Sequence, residues 1–123
     1  MKNAVWFEIP ASDLDRAIGF YERIFGKPLR REQMGGVDLG VFPYEQPATG
    51  GAVVKGPAYR PSEDGKGPVV YVAAEGESEI DAILSRVAAA GGKVALPKST
   101  LPGVGSIAHI IDTEGNRIGL HAA

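Results

Sequence analysis

The chain has 123 residues, of which 44% are hydrophobic and 23% charged, a composition typical of one compact globular domain. Its formal net charge is -2 and its basic residues form no run, so a nucleic-acid partner is not expected. Because there is no cysteine, disulfides, thiolate nucleophiles and cysteine-based zinc or iron–sulfur sites are excluded.

The membrane is not an expected partner either. No apolar stretch is long enough to cross a bilayer. Residues 1–3 lead into a strand pattern without the charged-then-apolar order of a leader. We therefore expect a cytoplasmic protein with a single domain over residues 1–123.

The first half of the chain, about residues 1–55, predicts one strand, one helix and three more strands. In the strand at 4–9, alternation directs one set of side chains toward a helix and the other set, Trp6 and Glu8, to the opposite face. The helix is expected to begin at Ser12 as N-cap, with Asp15 in a capping box, and to end at Gly26. The three strands are expected over 29–34, 37–42 and 51–55.

The second half, about residues 68–123, repeats this order after a linker at 56–67 that is rich in glycine, proline and charge. A strand at 69–73, a helix at 78–90 and strands at 93–97, 106–111 and 117–121 are predicted. The intervening sequence at 112–116, DTEGN, is typical of a hairpin turn.

The two halves also share residues at a fixed distance. Four positions of the first half, Ser12, Asp15, Gly26 and Lys27, recur 66 residues later as Ser78, Asp81, Gly92 and Lys93. A unit of this length used only twice indicates a duplicated half-domain and not a solenoid. Two such halves would leave a cleft between them, where a ligand can bind.

Two stretches carry a resemblance to a known family. The helix start DLDRAIGFY at 13–21 and the turn and strand DTEGNRI at 112–118 resemble the glyoxalase/bleomycin-resistance/dioxygenase group, the vicinal oxygen chelate superfamily. The resemblance implies an α+β fold of two tandem βαβββ modules, which form a cup-shaped, mainly antiparallel mixed sheet with helices on the convex side. It also implies a homodimer. It fixes the chemistry poorly, because one fold can host unrelated activities.

The resemblance also implies four positions for the ligands of a divalent metal in the cup. The first falls on Trp6, whose indole cannot bind a metal, and the last falls on Gly119. The strands at 50–56 and 68–74 contain no carboxylate or imidazole. We therefore expect no inherited metal site and no cofactor, while Zn, Ni, Mn or Fe at a shifted site stays an open alternative.

Five residues are the candidates for function. Glu8 and His121 each lie two residues from an empty ligand position, on the same strand face, and are the candidate catalytic acid and base. The candidate ligand-binding residues are Trp6, Glu8, Tyr71, His109 and His121. Tyr59, in the linker, is placed to fold over the mouth of the cup or over a second subunit. Each of the histidines has an ordinary structural interpretation as well.

Three functions follow as hypotheses. The first is a protein that binds a small molecule in the cup without the inherited metal. The second is a lyase or isomerase of the same superfamily that uses a shifted metal, or metal-free acid and base chemistry at Glu8 and His121. The third is an interaction module that dimerises or regulates without any ligand.

Overall fold

The computed structural model describes residues 4–123, and the predicted start of the first half at residues 1–3 lies outside the described residues. The elements in chain order are β1 (Trp6–Pro10), α1 (Leu14–Phe25), β2 (Arg30–Met34), β3 (Val37–Val41), β4 (Gly50–Lys55), β5 (Val70–Ala73), α2 (Glu77–Val87), β6 (Lys93–Leu101), β7 (Gly105–Ile111) and β8 (Arg117–Ala122). Over this range, neither α1 nor α2 has the length and apolar character needed to cross a membrane.

The strands form two sheets of the same design. The first sheet has the order β1-β4-β3-β2 and the second the order β5-β8-β7-β6. The parallel pairs are β1 with β4 in the first sheet and β5 with β8 in the second, and all other neighbours are antiparallel. This is the α+β architecture of two βαβββ units that the sequence predicts.

Both helices begin at residues other than those predicted. Asp13 is the N-cap of α1, because its carboxylate accepts a hydrogen bond from the backbone N–H of Arg16 at 3.0 Å. Gly76 precedes α2 and offers no side-chain cap, so Ser78 lies inside that helix. The helix also ends at Val87 rather than at residue 90, and a turn follows it. The prediction of Ser12 as N-cap was wrong, and the predicted start at Ser78 was one residue late.

The true distance between equivalent positions is 63 residues and not 66. The helices begin at Leu14 and Glu77, and the backbone bond from Ala11 N–H to a β4 carbonyl has its counterpart from Ala74 N–H to a β8 carbonyl. An error of three residues is nearly one turn of a helix. The shifted alignment therefore still matched buried positions with buried positions.

Two strand predictions also changed. β6 extends to Leu101, four residues beyond the predicted end, and it lies at the edge of its sheet. Strand alternation predicts that Val5 faces a helix together with Phe7 and Ile9. In the structure Val5 precedes β1 and has 76% of its surface exposed, so this prediction was wrong for Val5. The remaining strands agree with the predicted ranges to within two residues.

One hydrophobic core joins the two modules. It combines side chains of α1 and α2 with the helix-facing residues of both sheets, among them Ile9, Tyr21, Val53, Ile80, Ile110 and Leu120. The helices contact each other, and the guanidinium of Arg86 donates to the carbonyl of Ile24 at 3.1 Å. Because the helices fill this side, the opposite faces of both sheets, here called the concave faces, are available for a ligand.

The hairpin at 112–116 attaches the second module to the start of α1. The side chain of Glu114 has 0% of its surface exposed. Its Oε1 accepts from the backbone N–H groups of Ser12 and Asp13, both at 2.9 Å, and its Oε2 accepts from Nε of Arg16 at 2.7 Å. Burial alone would raise the pKa of Glu114, but the hydrogen bonds from Arg16, Asp13 and Thr113 outweigh it and lower the pKa to about 2.

Asp112 makes a second, deeper link in the same hairpin. Its Oδ2 accepts the hydroxyl of Tyr21 at 2.6 Å, and its Oδ1 accepts the backbone N–H groups of Glu114 and Asn116, both at 2.9 Å. The amide of Asn116 in turn donates to the carbonyl of Pro10 at 2.8 Å. The polar residues of DTEGN are thus a structural connection between the modules.

Candidate functional site

The concave face of the first sheet carries Trp6 and Glu8. Phe7 and Ile9 pack against the core, so the strand period turns Trp6 and Glu8 to the other side, as predicted. Trp6 lies at the beginning of β1, retains 38% of its surface exposed and contacts the ring of Tyr44 edge-on at 6.0 Å. Its ring is therefore partly accessible on this face.

Glu8 is paired with the linker. Its Oε1 accepts the hydroxyl of Tyr59 at 2.6 Å, and its Oε2 accepts the indole N–H of Trp6 at 3.3 Å. This hydrogen bond to Glu8 is the main reason why the pKa of Tyr59 is raised. Tyr59 also packs on a small apolar cluster of this face, formed by Leu39, Val41, Ala52 and Val54. The linker tyrosine thus covers part of the concave face.

The concave face of the second sheet carries a chain of three side chains. The hydroxyl of Tyr71 lies 2.6 Å from Nε2 of His109, and Nη1 of Arg117 lies 3.2 Å from Nδ1 of the same imidazole. The three residues stand on three neighbouring strands, β5, β7 and β8. Partial burial, followed by the charge of Arg117, lowers the pKa of His109, which favours the neutral imidazole.

Gly119 has no side chain because Tyr71 uses the space. The two residues are register partners in β8 and β5, and a Cβ atom on Gly119 would overlap the ring of Tyr71. Gly119 is the position where the resemblance implies an acidic metal ligand. An aromatic ring therefore lies where that carboxylate would need to stand.

Glu8 and Tyr71 occupy equivalent positions in the two modules, since they are 63 residues apart and lie in β1 and β5. Each has one neighbouring tyrosine or histidine as hydrogen-bond partner. His121 is engaged elsewhere, because its Nε2 lies 2.6 Å from the carbonyl of Val104. Within residues 4–123 no hydrogen bond joins Glu8 to His121.

No metal-binding cluster emerges from the described part of the chain. No group of three or more histidine, cysteine, aspartate or glutamate side chains converges among residues 4–123. In the hairpin, the carboxylates of Asp112 and Glu114 accept hydrogen bonds from protein donors. The hydrogen-bond partners of Glu8 are Trp6 and Tyr59, so a metal bound to Glu8 would need further ligands from other residues.

A cavity of about 880 Å³ lies between the first sheet and the edge strand β5. Its apolar wall contains three phenylalanines, Phe7, Phe25 and Phe42, with Leu29, Val70 and Val72. Its charged residues are Lys27, Glu75 and Glu79, and the first two lie 3.9 Å apart. Of the five residues predicted to bind a ligand, only Tyr71 lines it. Cavities of this size and apolar character are typical of small-molecule sites.

The prediction missed two residues of the concave faces. Arg117 precedes Gly119 by two residues, so the strand period already indicated that it shares the face of Gly119 and His121. Tyr44 follows β3 in an irregular segment, and no pattern in the sequence indicated that its ring lies over Gly50 beside Trp6.

Comparison with known families assigns the chain to a superfamily. The model of the Glyoxalase/Bleomycin resistance protein/Dioxygenase superfamily matches residues 3–120. The chain belongs to this superfamily. No curated protein matches it in sequence. Membership accounts for the two modules and the concave faces, and leaves the ligand and the reaction open.

Solved structures of the superfamily have the same fold. A glyoxylase/bleomycin resistance protein/dioxygenase domain of Frankia sp. EAN1pec superposes with a TM-score of 0.72 at 19% identity, over 100% of this chain and 98% of that one. A glyoxalase/bleomycin resistance protein of Albidiferax ferrireducens T118 gives 0.69 at 20% identity, over 98% of both chains. Glyoxalase I of Zea mays gives 0.62 at 21% identity, over 95% of this chain but only 44% of its own.

Proposed function

We propose that the protein binds a small, largely aromatic molecule at the concave faces and the adjoining cavity, without the metal site of its metal-dependent relatives. The observation that carries this proposal is the cavity of about 880 Å³, walled by three phenylalanines and bordered by Tyr71. Exposed aromatic rings offer apolar area and a polar tip at low entropic cost, which suits ligand binding. Trp6 and Tyr71, 38% and 46% exposed, are such rings.

The proposed binding protein is a cytoplasmic homodimer. Support comes from the second sheet, whose edge strand β6 leaves Val94 and Leu101 44% and 39% exposed, with Val104 49% exposed in the following turn. Exposed apolar side chains along a strand edge favour association with another chain. Light scattering tests this: twice the chain mass of 12.9 kDa is expected, and a monomer at high micromolar concentration contradicts it.

Ligand binding is tested by thermal unfolding with 2-acetylnaphthalene and with a panel of aromatic antibiotics. A ligand that binds the native state raises the melting temperature. At a concentration of about 100 times Kd, it stabilises the native state by about 2.7 kcal/mol. Val70→Trp, which fills the cavity, should remove the increase. Met34→Trp adds the same ring on exposed β2, outside the cavity, and should retain it.

The alternative function is a lyase or isomerase acting through Glu8 and His121. What favours it is the position of Glu8, an ionisable group on an exposed strand face with a phenol as partner. Metal analysis of protein purified without chelators separates the two functions. Stoichiometric Zn, Ni, Mn or Fe that is lost in Glu8→Gln, together with no stabilisation by any organic ligand, would replace the binding proposal by the enzymatic one.

A further inference from the structure

The contacts of His109 determine which of its nitrogens carries the proton. A guanidinium only donates hydrogen bonds, so Nδ1 of His109, 3.2 Å from Nη1 of Arg117, must accept one. A neutral imidazole has one N–H group. That group is therefore Nε2–H, and the tautomer is fixed by Arg117.

The tautomer in turn fixes the direction of the next hydrogen bond. Nε2–H of His109 donates to the hydroxyl oxygen of Tyr71 at 2.6 Å, so the phenolic hydrogen is not used in this contact. Among residues 4–123 the hydroxyl of Tyr71 makes no other hydrogen bond. Since 46% of Tyr71 is exposed on the concave face, its O–H can donate to a bound molecule.

We propose that Arg117 and His109 are positioning residues that make the Tyr71 hydroxyl a hydrogen-bond donor, so that the second sheet binds ligands through an acceptor oxygen. The chemical class is an aromatic or apolar body bearing a carbonyl, carboxylate or phenolate oxygen. The inference rests on the proposed function and specifies its ligand. A ligand with only hydrogen-bond donors next to Tyr71 would place donor against donor, which disfavours binding.

Arg117 is itself held in place by the linker. Its Nε donates to the carbonyl of Gly65 at 3.1 Å, and the N–H of Gly65 donates to the carbonyl of Gly115 at 3.0 Å. The guanidinium therefore has a second contact, to the linker, in addition to its contact with His109. Such a support fixes a side chain more firmly than one contact would, as binding sites require.

The tautomer is tested directly by ¹⁵N NMR of the two histidine side chains in the ligand-free protein at pH 8. His121 is an internal reference, because its Nε2 faces the Val104 carbonyl and must donate. We expect an unprotonated Nδ1 and a protonated Nε2 in His109. A protonated Nδ1 would overturn the inference whatever the protein binds.

Replacement of the guanidinium tests its role as the positioning group. In Arg117→Met, the Nδ1 signal of His109 should move toward that of a mixture of tautomers, because the donor is gone. Arg30→Met removes an exposed arginine of the first sheet and should leave the signal unchanged. An unchanged His109 signal in a folded Arg117→Met protein would contradict positioning by Arg117.

The ligand class is tested with two compounds of nearly equal shape, 2-acetylnaphthalene, which has an acceptor oxygen, and 2-ethylnaphthalene, which has none. Equilibrium dialysis should show roughly fivefold tighter binding of the ketone, the effect of one hydrogen bond. Tyr71→Phe should abolish this preference. Ser85→Ala, which removes an exposed hydroxyl of α2 outside the cavity, should keep it.

The outcomes separate this inference from the function beneath it. Equal affinity of the two compounds for the wild-type protein would overturn the acceptor class and leave small-molecule binding intact. Binding of neither compound would count against the proposed function, and the tautomer of His109 would then decide the role of Arg117 by itself.

Discussion

The hairpin at 112–116 and the concave faces contain similar polar side chains in opposite states. In the hairpin, Glu114 and Asp112 are buried and surrounded by protein donors. On the concave faces, Glu8 and Tyr71 are partly or fully exposed, with few protein partners. A polar group saturated by protein contributes to stability, whereas one with hydrogen-bonding capacity left over can recognise a ligand.

The comparison also separates resemblance from function. DTEGNRI is one of the two stretches that resemble the superfamily, and the structure uses its DTEGN part to join β7 and β8 to the start of α1. On the concave faces, Trp6 and Tyr71 lie outside both stretches, while Arg117 follows DTEGN within the second. The five residues DTEGN therefore support the fold and say little about the ligand.

The largest effect is expected from Glu114→Gln. The substitution removes a buried charge that accepts bonds from Ser12, Asp13 and Arg16. Because the pKa of Glu114 is lowered to about 2, the charged form contributes roughly 3 kcal/mol to folding at neutral pH. Urea denaturation should show a loss of that order.

Glu75→Gln is the matched control. The side chain of Glu75 is 80% exposed and its ion pair with Lys27 is long, at 3.9 Å. Exposed ion pairs contribute little to stability. The control should leave the free energy of unfolding unchanged within error. Equal effects of the two substitutions would refute the distinction between a buried connection and a solvated surface.

The second effect is a dependence on pH with a defined sign. The pKa of Glu114 is below its ordinary value of 4.5, so its contribution is present above pH 4.5 and is lost as the pH falls toward 2. Burial raises the pKa of Asp112 above 3.8, an effect that its hydrogen bonds only partly offset. The contribution of Asp112 therefore has the opposite sign, favouring the folded state at low pH.

The difference in unfolding free energy between the wild-type protein and Glu114→Gln separates the contribution of Glu114 from that of Asp112. The difference in unfolding free energy should be constant from pH 7 to about 5 and should shrink by more than half near pH 2. Denaturation at a series of pH values measures it. A constant difference over the whole range would mean that Glu114 titrates normally in the folded protein.

The smallest effect is expected on the concave face, from Tyr59→Phe. The hydroxyl of Tyr59 bonds to Glu8 in an exposed position, while its ring packs on Leu39, Val41, Ala52 and Val54. Phenylalanine keeps the ring, so the denaturation midpoint should not change measurably. The ¹³C signal of the Glu8 carboxylate should shift instead, because the carboxylate loses its phenolic partner. A large loss of stability would assign this face to the folding core.

Much of the fold was predictable from periodicity and turn residues. Alternation in β1 correctly separated Phe7 and Ile9 from Trp6 and Glu8, and the glycine-rich turns correctly divided the strands. The repeat distance was wrong by three residues, because a shift of nearly one helical turn preserves the buried face. The predicted N-cap of α1 was wrong because Ser12 and Asp13 are adjacent candidates, and the partner of Ser12 is Glu114, 102 residues away.

The sequence by itself determined the two βαβββ units and the loss of ligand-type residues at Trp6 and Gly119, because these depend on local spacing and residue type. Only the tertiary structure decided that Tyr71 fills the space above Gly119, that Arg117 contacts His109, and that Asp112, Glu114 and Asn116 are buried. These contacts join residues from different strands or modules. Local periodicity describes which face a residue takes, and it contains no distance between faces.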